Sequence, residues 1–158
     1  MSSGEGQAGS AYNGLIVEGG NDMAVNELTG ACLCGAVRFK VKPPFGGFRY
    51  CHCSRCRKAS GSAHAANLFL PETQFQWISG EAAVKRFDLP DAQRFAVCFC
   101  SNCGTRVPHK IRTTENMLIP AGLLDCEIDA RPENSIFWDS KASWYVSPDA
   151  LPKFSEYK

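Results

Sequence analysis

The chain has 158 residues, 44% of them hydrophobic, which makes one ordinary domain with enough apolar surface for a core of its own. Seventeen Lys and Arg against sixteen Asp and Glu leave a formal charge of +1, which argues against broad capture of nucleic acid or an acidic membrane surface. No apolar run reaches the ~20 residues that cross a bilayer, and the first residues carry neither a basic nor an apolar stretch. The sequence therefore predicts a cytoplasmic protein with no membrane partner and no secretory signal.

Residues 1–22, MSSGEGQAGSAYNGLIVEGGND, are rich in Gly and Ser and poor in large apolar side chains. They read as a flexible N-terminal tail, with residues 23–158 forming the single folded domain. From Leu28 onward the texture changes. Residues 36–41 alternate apolar and polar, as a half-buried strand does, and Pro43-Pro44 with Gly46-Gly47 end the run. Further strands are predicted over 48–51, 65–70, 75–78, 84–87 and 94–99, with short candidates at 117–119 and 135–137. Trp144-Tyr145 falls in a loop or short strand. One short helix is predicted over 149–154, although Pro152 weakens it. No long stretch keeps a helical period, so the fold class is mostly β.

Nine cysteines stand at 32, 34, 51, 53, 56, 98, 100, 103 and 126. An odd number without a secretory signal fits a disulfide framework poorly, and close groups of thiols in a reducing compartment point to metal. Cys32 and Cys34 are two apart, a spacing that presents both sulfurs to one side of an extended chain. Cys100-Ser101-Asn102-Cys103-Gly104 can turn tightly and aim both thiolates at one ion. Together the two pairs would close a tetrahedral zinc shell, the mark of a structural site whose binding energy is folding energy. The run Cys51-His52-Cys53-Ser54-Arg55-Cys56 differs, because three thiols leave one position open for a substrate atom. His52 alternates with the cysteines and is expected on the opposite face. Arg55, Arg57 and Lys58 surround the triad and would favour an anionic substrate. Cys98, Cys100 and Cys103 repeat the same spacing, so spacing alone leaves open which triad is the unsaturated one. His64 and Asn67 are candidates for a pocket lining, His64 with the chemistry of an acid or base. His109 reads as a loop residue, Cys126 as an ordinary thiol, and Asp125, Glu127 and Asp129 as a solvated turn.

In order, Gly30-x-Cys32-x-Cys34-Gly35-x-Val37-x-Phe39, then Cys51-His52-Cys53-Ser54-x-Cys56-Arg57-Lys58, then Phe99-Cys100-x-x-Cys103-Gly104-Thr105 resemble the glutathione-dependent formaldehyde-activating (GFA) enzyme family. Ser79-Gly80 after Trp77, residues 120–125, and Ile136-Phe137, Lys141 and Trp144 agree with it, so the resemblance covers roughly residues 28–157. It implies a single β-tent domain of antiparallel sheets built around two zinc ions per chain. It implies a structural zinc on Cys32, Cys34, Cys100 and Cys103, a catalytic zinc on Cys51, Cys53 and Cys56, and no ligand role for Cys98. The activity implied is that of a carbon–sulfur lyase joining glutathione, as co-substrate, to formaldehyde; the partner would then be a small-molecule thiol or thiol adduct. The family also includes centromere protein V, which suggests the alternative of a non-catalytic zinc module that binds protein or nucleic acid. No basic arm supports that alternative, since the stretch before Met23 holds no Lys or Arg.

Overall fold

The computed structural model describes residues 27–157; the tail expected at 1–22 lies outside them. In chain order the elements are β1 (Leu28–Ala31), β2 (Arg38–Val41), β3 (Gly47–Cys51), α1 (Ser54–Ser60), β4 (Ala65–Pro71), β5 (Phe75–Ser79), β6 (Val84–Asp88), β7 (Ala96–Cys100), β8 (Arg106–Val107), β9 (His109–Lys110), β10 (Asn116–Pro120) and β11 (Asn134–Ile136). They form a three-stranded sheet β1-β2-β5, a five-stranded sheet β11-β3-β4-β10-β9 and a second three-stranded sheet β6-β7-β8. All pairings are antiparallel except that of β11 with β3, which is parallel. The mostly-β expectation stands.

Period-two alternation in the five-stranded sheet decides what each side chain meets. On one face, Phe48 of β3, Leu68 and Leu70 of β4, and Met117 and Ile119 of β10 join Phe39 and Val41 of β2 in the main core. Phe39 is fully buried, stacked on Phe75 at 5.8 Å between ring centres and edge-on to Trp77 at 6.4 Å. On the other face the register sets Arg49 opposite Asn67, Gly47 opposite Phe69, Phe69 opposite Leu118, and Leu118 opposite His109. That polar face looks away from the core. The β6-β7-β8 sheet is attached by a smaller apolar cluster of Cys32, Val37, Cys98, Cys100 and Val107.

The differences from expectation have local causes. The strand expected from residue 36 begins at Arg38, because residues 32–37 turn: the Gly35 N–H donates to the Cys32 carbonyl (2.9 Å) and the Cys32 N–H to the Val37 carbonyl (3.0 Å). The strand expected from residue 94 begins at Ala96, with the Arg94 Nε instead donating to Thr113 (2.9 Å). At the C-terminal end, Pro148–Ala150 forms one 3-10 turn and no α-helix follows. Pro152 disfavours helical geometry at the residue before it and supplies no N–H. The α-helix lies at Ser54–Ser60, where the sequence shows only two turns of polar residues with one buried side chain, Cys56. Glycine is required at Gly80, which has φ 75° and where a Cβ would stand 2.0 Å from the Ala36 carbonyl oxygen.

Leu68 is fully buried at the centre of the main core. Leu68→Ala is expected to lower stability by about 2–5 kcal/mol in urea unfolding of the metal-loaded protein. A loss below ~1 kcal/mol would contradict this placement.

Candidate metal centres

Two turns bring the first group of thiols together. Gly35 and Gly104 both have φ 74°, which lets the chain reverse immediately after Cys34 and Cys103. In the second turn the Gly104 N–H donates to the Cys100 carbonyl (2.8 Å) and the Cys100 N–H to the Thr105 carbonyl (2.9 Å). Cys34 is therefore presented by a turn and not by strand alternation. The sulfurs of Cys32, Cys34, Cys100 and Cys103 all lie within 4.8 Å of one another, with Cys32–Cys34 at 3.5 Å and Cys34–Cys100 at 3.9 Å. These separations are far from a disulfide bond of ~2.05 Å. A tetrahedral zinc ion with Zn–S bonds near 2.3 Å sets its sulfurs about 3.8 Å apart, so the group could hold one.

Donors around the sulfurs fit the anionic form that metal binding needs. The Val37 N–H donates to Cys32 Sγ (3.3 Å) and Asn102 Nδ2 to Cys34 Sγ (3.3 Å), while Thr105 Oγ1 lies 3.2 Å from Cys103 Sγ. Thr105 pulls the Cys103 thiol down to about 6. Burial opposes ionisation of Cys32, but the Val37 N–H holds that thiol below its ordinary value. Burial pushes Cys100 up.

The second group is assembled by the end of a strand and the start of a helix. Cys51 closes β3, Cys53 caps α1, and Cys56 sits buried in the first turn with its N–H donating to Cys53 Sγ (3.4 Å). Gly61, in the left-handed conformation, ends the helix by donating its N–H to the Arg57 carbonyl. The three sulfurs lie within 4.8 Å of one another, and among the described residues no His, Asp, Glu or further Cys joins them. Hydrogen bonding from Cys56 draws the Cys51 thiol down to about 6, and the same contact pushes Cys56 up. Three thiolates this close repel one another, and a divalent cation between them removes that obstacle. The triad also fits a metal ion, with three protein ligands.

The triad lies in a cleft of about 810 Å³. The polar face of the five-stranded sheet supplies Arg49, Cys51, Asn67, Phe69, His109, Asn116 and Leu118; the 91–95 loop, Arg106 and the β11 end with Phe137 complete it. Among the described residues that line it are four arginines, Arg49, Arg55, Arg94 and Arg106, and one carboxylate, Asp91. Burial lowers the Arg106 pKa while the nearby Cys56 raises it. His109 is no loop residue: it is buried in β9, its Nδ1 has no hydrogen-bond partner among the described residues, and burial followed by Arg106 and Arg86 pulls it down to about 4. Phe137 stands 61% exposed at φ 56°, with its carbonyl accepting from the Ser140 N–H (3.0 Å). A left-handed conformation costs a non-glycine residue on the order of 1–2 kcal/mol, which the backbone hydrogen bond from Ser140 helps to offset.

Of the basic residues named from sequence, only Arg55 lines this cleft. Arg57 and Lys58 do not; Arg57, two residues on along the helix, points to another side. His64 lines a smaller cavity of about 390 Å³ and packs on Tyr50 at 4.4 Å between ring centres. Asn67 borders both spaces. His52 is fully buried among His64, Trp138 and Tyr145 at 5.1, 5.0 and 5.3 Å, on the side away from the sulfurs, as alternation predicts. Cys98 belongs to neither group and is a buried thiol whose pKa burial raises. Cys126 is exposed. The sequence carried no signal for Arg49, Arg94, Arg106 or His109, which lie far from the cysteine motifs along the chain or outside their patterns.

Fold and sites together describe a cysteine-rich β protein with a closed four-thiol group and an open three-thiol group at the base of a cleft. The family model for glutathione-dependent formaldehyde-activating enzymes matches residues 27–140, and the chain belongs to that family. A Halomonas elongata protein, named as a candidate glutathione-dependent formaldehyde-activating enzyme, is 54% identical over 43 residues, which are 26% of this chain and 27% of that protein. The crystal structure of a Rhodobacter sphaeroides protein superposes with a TM-score of 0.52 at 24% identity, covering 68% of this chain and 98% of the other, and shares the fold. Among the described residues no helix is long and apolar enough to cross a membrane.

The buried His109 makes stability depend on pH. Its pKa falls from the ordinary 6.5 to about 4 on folding, so between these values the unfolded chain binds the extra proton and acid favours unfolding. At ~1.4 kcal/mol per pH unit, the metal-loaded protein is expected to lose roughly 3 kcal/mol more between pH 7 and pH 4 than its His109→Gln variant. Parallel stability curves for the two proteins would contradict the assignment.

Proposed function

We propose that the protein is a zinc-dependent carbon–sulfur lyase that forms or cleaves the adduct of a small thiol, glutathione in particular, with formaldehyde or another small aldehyde. The observation that carries the reading is the three-sulfur group in the cleft, with a position left over for a substrate atom. Membership of a family named for glutathione and formaldehyde supports the substrate pair. Cys32, Cys34, Cys100 and Cys103 would hold a structural zinc ion, and Cys51, Cys53 and Cys56 a catalytic one. Bound to the triad, zinc would supply Lewis acidity, keeping a substrate sulfur as thiolate near neutral pH.

The chain's own groups account for the rest. Cys51, Cys53 and Cys56 are fixed by β3 and by the first turn of α1, so their sulfurs are held together at the cleft, where they would bind the ion. Three thiolates around a dication carry net −1, and Arg55, Arg94 and Arg106 along the walls offset that charge and attract an anionic substrate. In the forward direction a sulfur–carbon bond forms as the carbonyl π bond opens, and the proton lost by the thiol ends on the carbonyl oxygen. His109 lines the cleft and is neutral at pH 7, so its ring can hydrogen-bond that oxygen without adding charge. Cleavage reverses each step.

Metal analysis with ligand variants and turnover assays tests this. About two zinc ions per chain are expected. Cys53→Ser should keep the fold, lose one zinc and lower turnover of glutathione with formaldehyde by more than ~100-fold, since it removes a ligand and not an outer partner. Cys103→Ser should lose the other zinc and with it the fold or soluble expression. Identical behaviour of the two variants would contradict the division of roles. A fully zinc-loaded protein inert toward every thiol adduct tried would instead favour a non-catalytic zinc-binding interaction module.

A further inference from the structure

Resting on the lyase reading, we infer that Arg49 anchors a carboxylate of the substrate and so selects anionic, peptide-sized thiols over small uncharged ones. Arg49 lies two residues before Cys51 on β3, on the face of the sheet that lines the cleft. Its guanidinium folds back over Gly47, where a Cβ would come within 3.7 Å of Nη2, 3.8 Å of Nε and 3.9 Å of Cζ. Cζ stands 5.6 Å from the centre of the Phe69 ring, and Phe69 is the cross-strand partner of Gly47. The head group is thus held on an aromatic platform with room left by a missing side chain.

It has no anionic partner among the described residues. Arg38, Arg86 and Arg112 each pair with a carboxylate, whereas Arg49 Nε is buried with no hydrogen-bond partner. Opposite it, Asn67 Oδ1 is also buried and unpaired. A partly buried cation without a counter-charge is costly, and a planar guanidinium fixed in advance matches a carboxylate through two parallel hydrogen bonds. Asn67 Oδ1 can accept from an ammonium or amide N–H of the same molecule. Gly47 and Cys51 are four residues apart along the strand, about 13 Å, and the guanidinium lies near the Gly47 end. A substrate touching both the anchor and the triad must therefore separate carboxylate and sulfur by something like 10 Å. A short tripeptide thiol spans that distance; mercaptoethanol or mercaptoacetate does not.

Calorimetric binding of S-methylglutathione, a thioether that keeps both carboxylates, tests the anchor without requiring turnover. Arg49→Gln, with zinc content and circular dichroism equal to wild type, should bind it about tenfold or more weakly. Arg49→Lys, which keeps the charge but loses the fork, should fall between the two and serves if the Gln variant does not fold. The diethyl ester of S-methylglutathione should bind both proteins alike. In turnover, the loss with glutathione should fall on KM, with mercaptoethanol unaffected. Equal affinity of wild type and variants for the diacid, an equal loss with the ester, or no binding of the diacid by wild type would overturn the anchor. If Arg49-dependent binding is seen but no adduct is ever formed, the lyase reading fails and the anchor stands. If adducts form and Arg49→Gln leaves KM unchanged, the reverse holds.

Discussion

Mutual repulsion of crowded thiolates is the constraint on which the rest of the structure depends. Seven sulfurs sit in two groups, each within 4.8 Å. Thiolates this close oppose one another's ionisation, and in the three-thiol group Cys51 is drawn down while Cys56 is pushed up. The main core would hold the β1-β2-β5 sheet to the five-stranded one regardless, through Phe39, Leu68 and Ile119. Among the described residues the β6-β7-β8 sheet has a smaller apolar support. Its apolar cluster has five buried members, of which Cys32, Cys98 and Cys100 are cysteines and two belong to the four-thiol group. A cation there would join the turn before β2 to the end of β7, and its binding energy would be much of what keeps that sheet in place.

A second constraint, the pleat of the five-stranded sheet, divides core from cleft. Successive residues of β3 and β4 alternate between the apolar interior and the opening: Phe48 inward and Arg49 outward, Leu68 inward and Asn67 and Phe69 outward. A one-residue slip in the pairing of β3 with β4 would put Arg49 into the core and Phe48 into the cleft. Correct packing of the interior therefore places the cleft residues, and the position of Cys51 at the end of β3 carries the same register to the triad.

What could be read from the sequence follows from how local each feature is. The two cysteine groups were legible because their members lie a few residues apart and because ligand geometry demands such spacing. The strands at 48–51, 65–70 and 84–87 were legible because alternation and turn residues mark them. Helix α1 was not, since Cys53 is an unusual N-cap and two turns give too short a window for a helical period. Cys34 was assigned to an extended chain, but Gly35 turns the backbone directly after it. Arg49, Arg94, Arg106 and His109 come from β3, the 91–95 loop, β8 and β9, and only the tertiary fold brings them to the triad. Sequence proximity misled in the opposite sense at Arg57 and Lys58, where the helix carries neighbours of the triad to other sides.

X-ray absorption on the zinc-loaded protein, recorded before and after adding glutathione, addresses the open coordination position most directly. The four-thiol and three-thiol groups predict seven sulfur neighbours shared by two zinc ions in the free protein, rising to eight when the substrate sulfur arrives. Eight protein sulfurs, or a histidine nitrogen in place of the exchangeable ligand, in the free protein with no change on adding thiol, would contradict it.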